Sequence, residues 1–330
     1  MNRPADHLEW LDTIRAVACL LVILLHSASP LAGSFELSDR WVWANIVDSF
    51  SRACVPLFFM ISGFLFFRAR APRGRNLGRL LAALTFYSAI YLAVKAASGG
   101  NIGLLEVASV ATSPAHFHLW FFYPQLAIYL IAIFITIRTS SATALVCACA
   151  ALLLFNPSLG SLTGIDTSSL RVGGDLLYYL LYAIIGAILG ERSLEGEKMP
   201  GRAACLTAFL LSSGAIAVMT HLASSAAGSF VGDFYSYRSP LVAISSIALF
   251  CLLSKASMPS RLRAPISTVA RYSLPIYGLH ALPLELIRRS PLMQIENSIL
   301  LIAATFLLVL AFTLPLAAGL KRMDRRSWVT

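Results

Sequence analysis

A histidine and an arginine share one face of an apolar segment near the start of the chain. In LDTIRAVACLLVILLHS, residues 11–27, Arg15 and His26 are eleven residues apart. On an α-helix this spacing places them about 20° apart in direction and about 16 Å apart in height. Asp12 precedes Arg15 by three residues, which is close enough for an ion pair on the same face. The spacing predicts a polar stripe along an otherwise apolar helix.

The two ends of this stripe suit different chemistry. An arginine binds phosphate oxygens through its planar fork of N–H groups, whereas a histidine can remove a proton from a hydroxyl near neutral pH. Ionisable groups inside an apolar segment are functional candidates, because a charge at mid-bilayer costs about 2.5 to 3.5 kcal/mol on insertion scales. Structural interpretations stay open: Arg15 as an interfacial arginine paired with Asp12, and His26 as an interhelical hydrogen-bonding residue.

The composition indicates which elements position the stripe. Of the 330 residues, 58% are hydrophobic and 13% charged, with a mean hydropathy of +0.75; a soluble domain carries roughly 25% charged residues. We therefore predict an all-α polytopic membrane protein of about ten transmembrane helices, forming one domain over residues 1–330. The predicted spans are 12–31, 50–67, 80–97, 118–137, 141–155, 176–190, 204–222, 239–254, 272–287 and 298–320.

Positive charge is distributed unevenly among the loops. If RARAPRGRNLGR (residues 68–79) is cytoplasmic, 18 Lys and Arg residues lie on the cytoplasmic side and 5 on the opposite side. This bias predicts that both termini are cytoplasmic. The net charge of +10 is explained by topology, so we expect no nucleic-acid partner. The six cysteines lie in apolar runs without metal-ligand spacing, and no metal site is predicted.

Other spans also carry polar side chains. The predicted topology places most of them at the outer ends of helices, with Ser62 and His280 deeper. Structural interpretations again stay open: close helix packing for Ser62 and Gly63, an interfacial belt position for Trp120 and a helix cap for Asp175. The further candidates are Arg52, Ser62, His118, Trp120, Asp175 and His280, with Arg75 and Arg79 in the basic loop.

These stretches together resemble the acyltransferase 3 family of bacterial integral-membrane acyltransferases. The matching stretches, in chain order, are LDTIRAVACLLVILLH, VPLFFMISGFLFF, RNLGRLL, HLWFF and YSLPIYGLH. The resemblance extends over essentially the whole chain. It implies a protein of the bacterial inner membrane that transfers an acyl group to a hydroxyl of an envelope glycan or its lipid-linked precursor. The implied donor is usually cytoplasmic acetyl-CoA, used as a co-substrate without a metal.

The resemblance also implies roles for particular residues. The Arg–His signature of the family falls on Arg15 and His26, and its Ser-Gly motif falls on Ser62 and Gly63. Phosphates of coenzyme A would bind arginine forks, and the acyl end would meet His26, either as general base or as the site of an acyl intermediate. Donor binding is expected from Asp12, Arg15, Arg75 and Arg79. Oxyanion donors are expected among Ser62, His118 and His280, and acceptor-side residues are Arg52, Trp120 and Asp175.

Two other function classes stay open. In a ten-helix secondary transporter, Arg15, His26 and Asp175 would form a substrate and proton path. Such a transporter predicts paired broken helices in two related halves, which the sequence does not display. Alternatively, the same fold would belong to a glycan exporter or to its partner. The expected partners of an enzyme are acetyl-CoA, a saccharide acceptor and the lipid bilayer, and the sequence is compatible with a homo-oligomer.

Overall fold

Helices form the regular structure of the chain, as the long apolar runs predict. The computed structural model describes residues 9–68, 72, 74–137, 139–154, 156, 174–256 and 258–330. Short 3₁₀ helices at Phe117–Phe121, Asp233–Tyr235 and Pro291–Gln294 supplement the α-helices. The α-helices are α1 (Glu9–Ala32), α2 (Asp39–Ser51), α3 (Cys54–Phe66), α4 (Gly74–Ala97), α5 (Leu104–Ser109), α6 (Phe122–Phe134), α7 (Ala142–Leu154), α8 (Gly174–Glu195), α9 (Arg202–Ala227), α10 (Pro240–Ser254), α11 (Ser260–Arg271), α12 (Ser273–Leu279), α13 (Ala281–Arg288) and α14 (Ser298–Met323).

Eight helical segments among the described residues are long and apolar enough to cross a membrane. The all-α, polytopic membrane class is thereby confirmed. The other two predicted spans also contain helices, but these helices are shorter than the eight long ones. The predicted span 141–155 contains the shorter helix α7 (Ala142–Leu154), and the predicted span 272–287 contains α12 and most of α13, with His280 at their junction. The number of crossings, ten, stays a prediction.

The predicted orientation is tested by reporter fusions. Because of the 18-to-5 bias in positive charge, a reporter fused after residue 330 should be active only on the cytoplasmic side. A matched fusion between α1 and α2, at residue 36, should report the opposite side. A C-terminal reporter found outside the cytoplasm would mean that one crossing is miscounted. Of the residues counted in this bias, Arg3, Arg70, Arg73, Arg138 and Arg171 lie outside the described residues.

The second span differs from the sequence prediction. The predicted span starts at residue 50, whereas the helical stretch starts at Asp39. Helix α2 precedes α3 and is joined to it by a short turn at Arg52 and Ala53. Asn45 and Asp48 on α2 are polar, yet both are buried. Asn45 is satisfied, since its Nδ2 donates to the Ala217 carbonyl oxygen at 2.9 Å. Arg52 thus precedes α3, but it follows another helix, α2, and lies at the junction between the two.

Helices α3 and α8 approach each other closely through glycine. A Cβ atom on Gly63 would lie 1.8 Å from the Ala183 carbonyl oxygen, and one on Gly186 would lie 2.2 Å from the Met60 carbonyl oxygen. The packing interpretation of the Ser-Gly pair thus holds for its glycine. Its neighbour Ser62 is held at this backbone contact and faces a cavity.

Helix α1 lies between two apolar clusters and carries the predicted polar stripe past both. Ile14, Ala18 and Val22 belong to the larger cluster, which includes α3 and α8. Cys19 and Ile23 belong to a second cluster with α11 to α14. Because both flanks of α1 are packed, the helix holds Arg15 and His26 at fixed positions within the bundle.

Candidate functional site

A cavity of about 270 Å³ lies beside Arg15 and extends between α1, α3, α4, α6 and α12. Its wall is mostly aromatic and aliphatic, which suits a narrow ligand with an apolar surface. A few polar side chains interrupt this wall. They are Arg15, Ser62, Asn76, Arg79, Gln125 and Ser273, together with the hydroxyl-bearing Tyr129 and Tyr277.

The predicted ion pair on α1 is present at this cavity. Arg15 Nη1 donates to Asp12 Oδ1 at 3.0 Å, and the two side chains are 29% and 18% exposed. Both charges therefore remain partly solvated, so the pair orients the guanidinium more than it stabilises the fold. An arginine has five N–H donors. Engagement of one by Asp12 leaves others for a ligand.

The two arginines predicted from the basic loop differ in position. Arg79 lines the cavity, whereas Arg75 is exposed and is not part of its wall. Residues 324–330 fold back over both of them. Arg75 Nη2 donates to the Arg326 carbonyl oxygen at 3.2 Å, and Arg79 Nη2 donates to the Thr330 carbonyl oxygen at 2.9 Å. The structure thus brings Arg15 and Arg79 together and leaves Arg75 outside the cavity.

A carboxylate holds this folded-back segment in place. Asp324 accepts hydrogen bonds from the backbone N–H groups of Trp328, Val329 and Thr330 at 3.0, 2.8 and 3.0 Å. Burial raises the pKa of Asp324, but these hydrogen bonds outweigh it and hold the pKa below its ordinary value. The carboxylate accordingly stays charged, and the segment stays in place over Arg79.

Three histidines from distant parts of the chain meet in one cluster. The rings of His26 and His280 stack with centroids 5.2 Å apart, and the rings of His118 and His280 meet edge to face at 4.8 Å. His26 also packs against Phe117 at 5.0 Å. These three residues, predicted from separate spans, therefore form a single histidine cluster.

Hydrogen bonds to carbonyl oxygens assign protons within this cluster. His280 Nδ1 lies 2.7 Å from the Tyr277 carbonyl oxygen, so Nδ1 carries the hydrogen and Nε2 has a lone pair. His280 is fully buried, and its Nε2 has no hydrogen-bond partner among the described residues. His118 Nε2 lies 3.3 Å from the Gly278 carbonyl oxygen and donates to it by the same reasoning. The Nε2 atom of His118 is thus engaged by a backbone carbonyl of α12.

A fourth histidine connects the cluster to a surface carboxylate. His116 Nδ1 lies 3.0 Å from His118 Nδ1, which must accept because its Nε2 donates elsewhere. His116 Nε2 lies 4.0 Å from Glu285 Oε1. Burial lowers the pKa of His116, Glu285 opposes this and Arg288 adds to it. His118 therefore has both ring nitrogens engaged.

His26 differs from the other two members of the cluster. It is partly accessible, and its imidazole makes ring contacts but no hydrogen bond within the part of the chain that the structure describes. An unengaged and accessible imidazole is free to take a proton from a bound hydroxyl. Among the cluster residues, His26 is the partly accessible one.

The cavity and the histidine cluster meet at Tyr277. Tyr277 lines the cavity, its hydroxyl donates to the His118 carbonyl oxygen, and its ring lies 5.8 Å from that of His280. His26 itself is not among the cavity-lining residues. Tyr277 therefore lies between the cavity beside Arg15 and the cluster that contains His26.

A second cavity, of about 320 Å³, collects the residues expected on the acceptor side. Arg52 and Asp175 line it, and Asp175 pairs with Arg238 at 3.4 Å. The predicted Trp120 lies behind the wall, stacked on Tyr237 with centroids 6.0 Å apart. The remaining lining residues are Tyr179, Phe230, Gly232, Tyr235 and Ser236.

Arg52 is held within this second cavity by a buried partner. It forms an ion pair with Asp48, which in turn accepts from the Ser29 hydroxyl at 3.2 Å. The guanidinium also lies over the Tyr235 ring, 4.1 Å from its centroid. Since Ser29 follows His26 by one turn of α1, the second cavity lies at the His26 end of that helix.

Aromatic side chains separate the two cavities. Phe121 lines the first cavity and Tyr179 lines the second, and Phe59 contacts both rings at 4.8 and 4.6 Å. Trp120 also packs on Tyr179, with centroids 5.6 Å apart. Phe59 therefore packs between the walls of the two cavities.

Sequence reasoning missed several residues of these sites. Gln125 and Asn76 line the first cavity, and His116 and Glu285 extend the histidine cluster. Gln125 had a detectable signal, because it is an uncharged polar residue inside the apolar run of α6. No cluster of three or more metal-ligating side chains that could hold an ion occurs within the described ranges.

Comparison with known proteins assigns the family. No curated protein and no solved structure matches the chain significantly. The profile of the acyltransferase domain known as acyltransferase 3 matches residues 8–318. That match includes the polar stripe on α1, the histidine cluster and the residues lining both cavities. It ends before the folded-back segment at 324–330. The chain belongs to the acyltransferase 3 family of membrane acyltransferases.

Proposed function

We propose that the protein is an O-acetyltransferase of the bacterial inner membrane. It moves an acetyl group from cytoplasmic acetyl-CoA to a hydroxyl of an envelope glycan or its lipid-linked precursor. The observation that carries the proposal is the first cavity, which has Arg15 and Arg79 on its wall and meets the histidine cluster at Tyr277. The stretches SRACVPLFFMISG, FHLWFF, GGDLLYYLLY and IYGLHAL also resemble the O-acetyltransferase that modifies enterobacterial common antigen.

The first cavity suits coenzyme A in both shape and charge. Guanidinium groups of Arg15 and Arg79 would bind the phosphates of the nucleotide end, and Arg75 stands just outside as a further contact. The apolar wall suits the narrow pantetheine arm. Arg15 and His26 are separated by about 16 Å along α1, and the extended arm would carry the thioester across this distance.

His26 acts as the general base in the proposed reaction. It takes the proton of the acceptor hydroxyl while the hydroxyl oxygen attacks the acetyl carbon. The bond between carbon and sulfur breaks, an ester bond forms, and the proton passes to the departing thiolate. General base catalysis of this kind contributes about 10²–10⁴-fold to the rate.

Ser62 is the best placed donor for negative charge on the acetyl oxygen. Its Oγ accepts from Gln125 Nε2 at 2.9 Å, which leaves the hydroxyl hydrogen free to donate into the cavity. His118 is less suitable, because both its ring nitrogens are engaged. His280 has its hydrogen on Nδ1 and directed to Tyr277. We assign Ser62 the oxyanion role.

The second cavity is the proposed acceptor site. Aromatic rings at Tyr179, Tyr235 and Tyr237 offer flat surfaces for a sugar ring, and Trp120 supports two of them. Arg52 and Asp175 add polar groups that can bind sugar hydroxyls. Its place at the His26 end of α1 brings the acceptor near the proposed base.

The proposal is tested with purified protein in liposomes. Acetyl-CoA and lipid-linked saccharides from the native membrane are supplied, released thiol is measured, and acetylated saccharide is identified by mass. Thiol release that depends on the saccharide is expected. Transport of a solute without any cleavage of acetyl-CoA would instead assign the protein to a transporter or exporter class. Mass comparison of envelope glycans from a deletion strain then identifies the acceptor.

Donor affinity should depend on the two cavity arginines. Arg15→Ala and Arg79→Ala should each weaken acetyl-CoA binding by about ten- to a hundredfold, because each removes charge-assisted hydrogen bonds to phosphate. Arg15→Lys should also weaken it, since a point charge cannot replace a bidentate fork. Calorimetry in detergent measures the affinity. The exposed Arg289, changed to Ala, is the control, and unchanged affinity in both Ala variants would remove these arginines from the donor site.

A further inference from the structure

Gln125 lines the first cavity, and its buried amide oxygen has no hydrogen-bond partner among the described residues. The side chain is 3% exposed. Its Nε2 donates to Ser62 Oγ at 2.9 Å. A buried carbonyl oxygen without a partner destabilises the protein unless a donor binds to it.

The missing partner must be a hydrogen-bond donor on an otherwise apolar molecule. The apolar side chains that line this cavity include Phe58, Ile61 and Phe122. A strongly charged or heavily hydroxylated group would lose hydration there without enough partners. An amide N–H on an alkyl chain fits both conditions, because it supplies one donor and little other polarity.

The position of Gln125 along α6 places that donor midway through the cavity. Phe122, one turn earlier, packs against Tyr277 with centroids 5.8 Å apart, on the side of the histidine cluster. Tyr129, one turn later, lines the cavity together with Arg15 and Arg79. Gln125 is thus between the arginine end and the histidine end of the cavity.

We propose that Gln125 binds an amide N–H of the pantetheine arm of an acyl-CoA donor. The inference rests on the proposed function. It adds a residue that binds the pantetheine arm, whereas the arginines bind the phosphates and His26 meets the acyl group. The arm is an extended chain with two amides between the nucleotide and the sulfur. Gln125 accepts from one of them, and the Ser62 hydroxyl is held beside it.

Two ligands separate this role from phosphate binding. Gln125→Leu keeps the size of the side chain and removes the amide. It should weaken binding of acetyl-CoA by about three- to tenfold and leave binding of adenosine 3′,5′-bisphosphate, which lacks the arm, within twofold of wild type. Arg79→Ala should weaken binding of both ligands. Affinities are measured by calorimetry, with folding checked by thermal melting.

The control is a buried hydroxyl that also lacks a partner but lies outside the cavity. Ser213 on α9 is fully buried, and its Oγ has no partner within the described part of the chain. Ser213→Ala should change neither affinity. If Gln125→Leu weakens binding of both ligands equally, or of neither, Gln125 does not bind the pantetheine arm. If wild-type protein binds neither ligand, the donor site itself is wrong, and the proposed function fails with it.

Modified ligands test the same contact without altering the protein. Acetyl-CoA analogues are prepared in which an ester oxygen replaces one amide N–H, each amide in turn. One analogue should bind wild-type protein about three- to tenfold more weakly than acetyl-CoA. The same analogue should bind Gln125→Leu as well as acetyl-CoA does. Equal binding of both analogues and acetyl-CoA to the wild type would overturn the inference.

Discussion

Replacing His26 by Gln should reduce acetyl transfer by about 10²–10⁴-fold while donor affinity stays nearly unchanged. Glutamine cannot take up the hydroxyl proton, so the chemical step loses its base. The proposed donor contact at Arg15 lies about 16 Å away along α1. Transfer is measured with acetyl-CoA and saccharide acceptor in liposomes, and affinity by calorimetry. The acid limb of the rate should follow protonation of the imidazole, since only the neutral form accepts a proton.

His280 provides the matched comparison. It belongs to the same cluster, but its Nδ1 donates to the Tyr277 carbonyl oxygen at 2.7 Å and it is fully buried. His280→Gln should therefore alter thermal stability more than His26→Gln does. A purely structural His26 would lose an interhelical interaction of about 0.6 kcal/mol, with a modest drop in activity. Well-folded His26→Gln protein that works within a few-fold of wild type would transfer the base role to His280, whose Nε2 lone pair is unengaged.

Gly63→Ala should cause a large loss of stability in the bundle. The added Cβ would lie 1.8 Å from the Ala183 carbonyl oxygen, and backbone atoms cannot move aside as a side chain can. Helices α3 and α8 would have to separate, which displaces Ser62 as well. We expect destabilisation at or above the upper end of the about 1–3 kcal/mol typical of overpacking. Thermal melting in detergent and the yield of folded protein measure it.

Gly214 on α9 is the control for this substitution. A Cβ there would meet nothing within 4 Å, so Gly214→Ala should be neutral or slightly stabilising because alanine favours the helix. A Gly63→Ala variant with the melting temperature and activity of the wild type would show that α3 and α8 are farther apart than the structure places them.

Much of the architecture follows from local sequence patterns. Long apolar runs must form helices in a bilayer, because every backbone polar group has to be satisfied within the segment. The helical period alone predicts that Asp12 pairs with Arg15 and that His26 lies on the same face, since one rigid helix contains all three. These are properties of single segments, so no other part of the chain is needed to derive them.

Other features depend on which segments meet. Helix α2 carries the polar residues Asn45 and Asp48, whose partners come from α9, the 233–235 turn and Arg52. Gln125 becomes informative only because Ser62 pairs with one end of its amide, while the other end has no hydrogen-bond partner among the described residues. Both depend on contacts between residues far apart in the chain.

The histidine cluster is the clearest case of a feature decided by tertiary structure. From sequence alone, His26, His118 and His280 are three polar residues in three spans. Each of them is equally compatible with a structural role, such as an interhelical hydrogen bond. Packing of α1 against α12 and the 117–121 turn brings their rings within about 5 Å and gives them different hydrogen bonds. Sequence determined that ionisable groups enter the membrane on particular helix faces, because helical geometry is local. Only the fold decided which imidazole remains free to act, because that depends on carbonyl groups contributed by another helix.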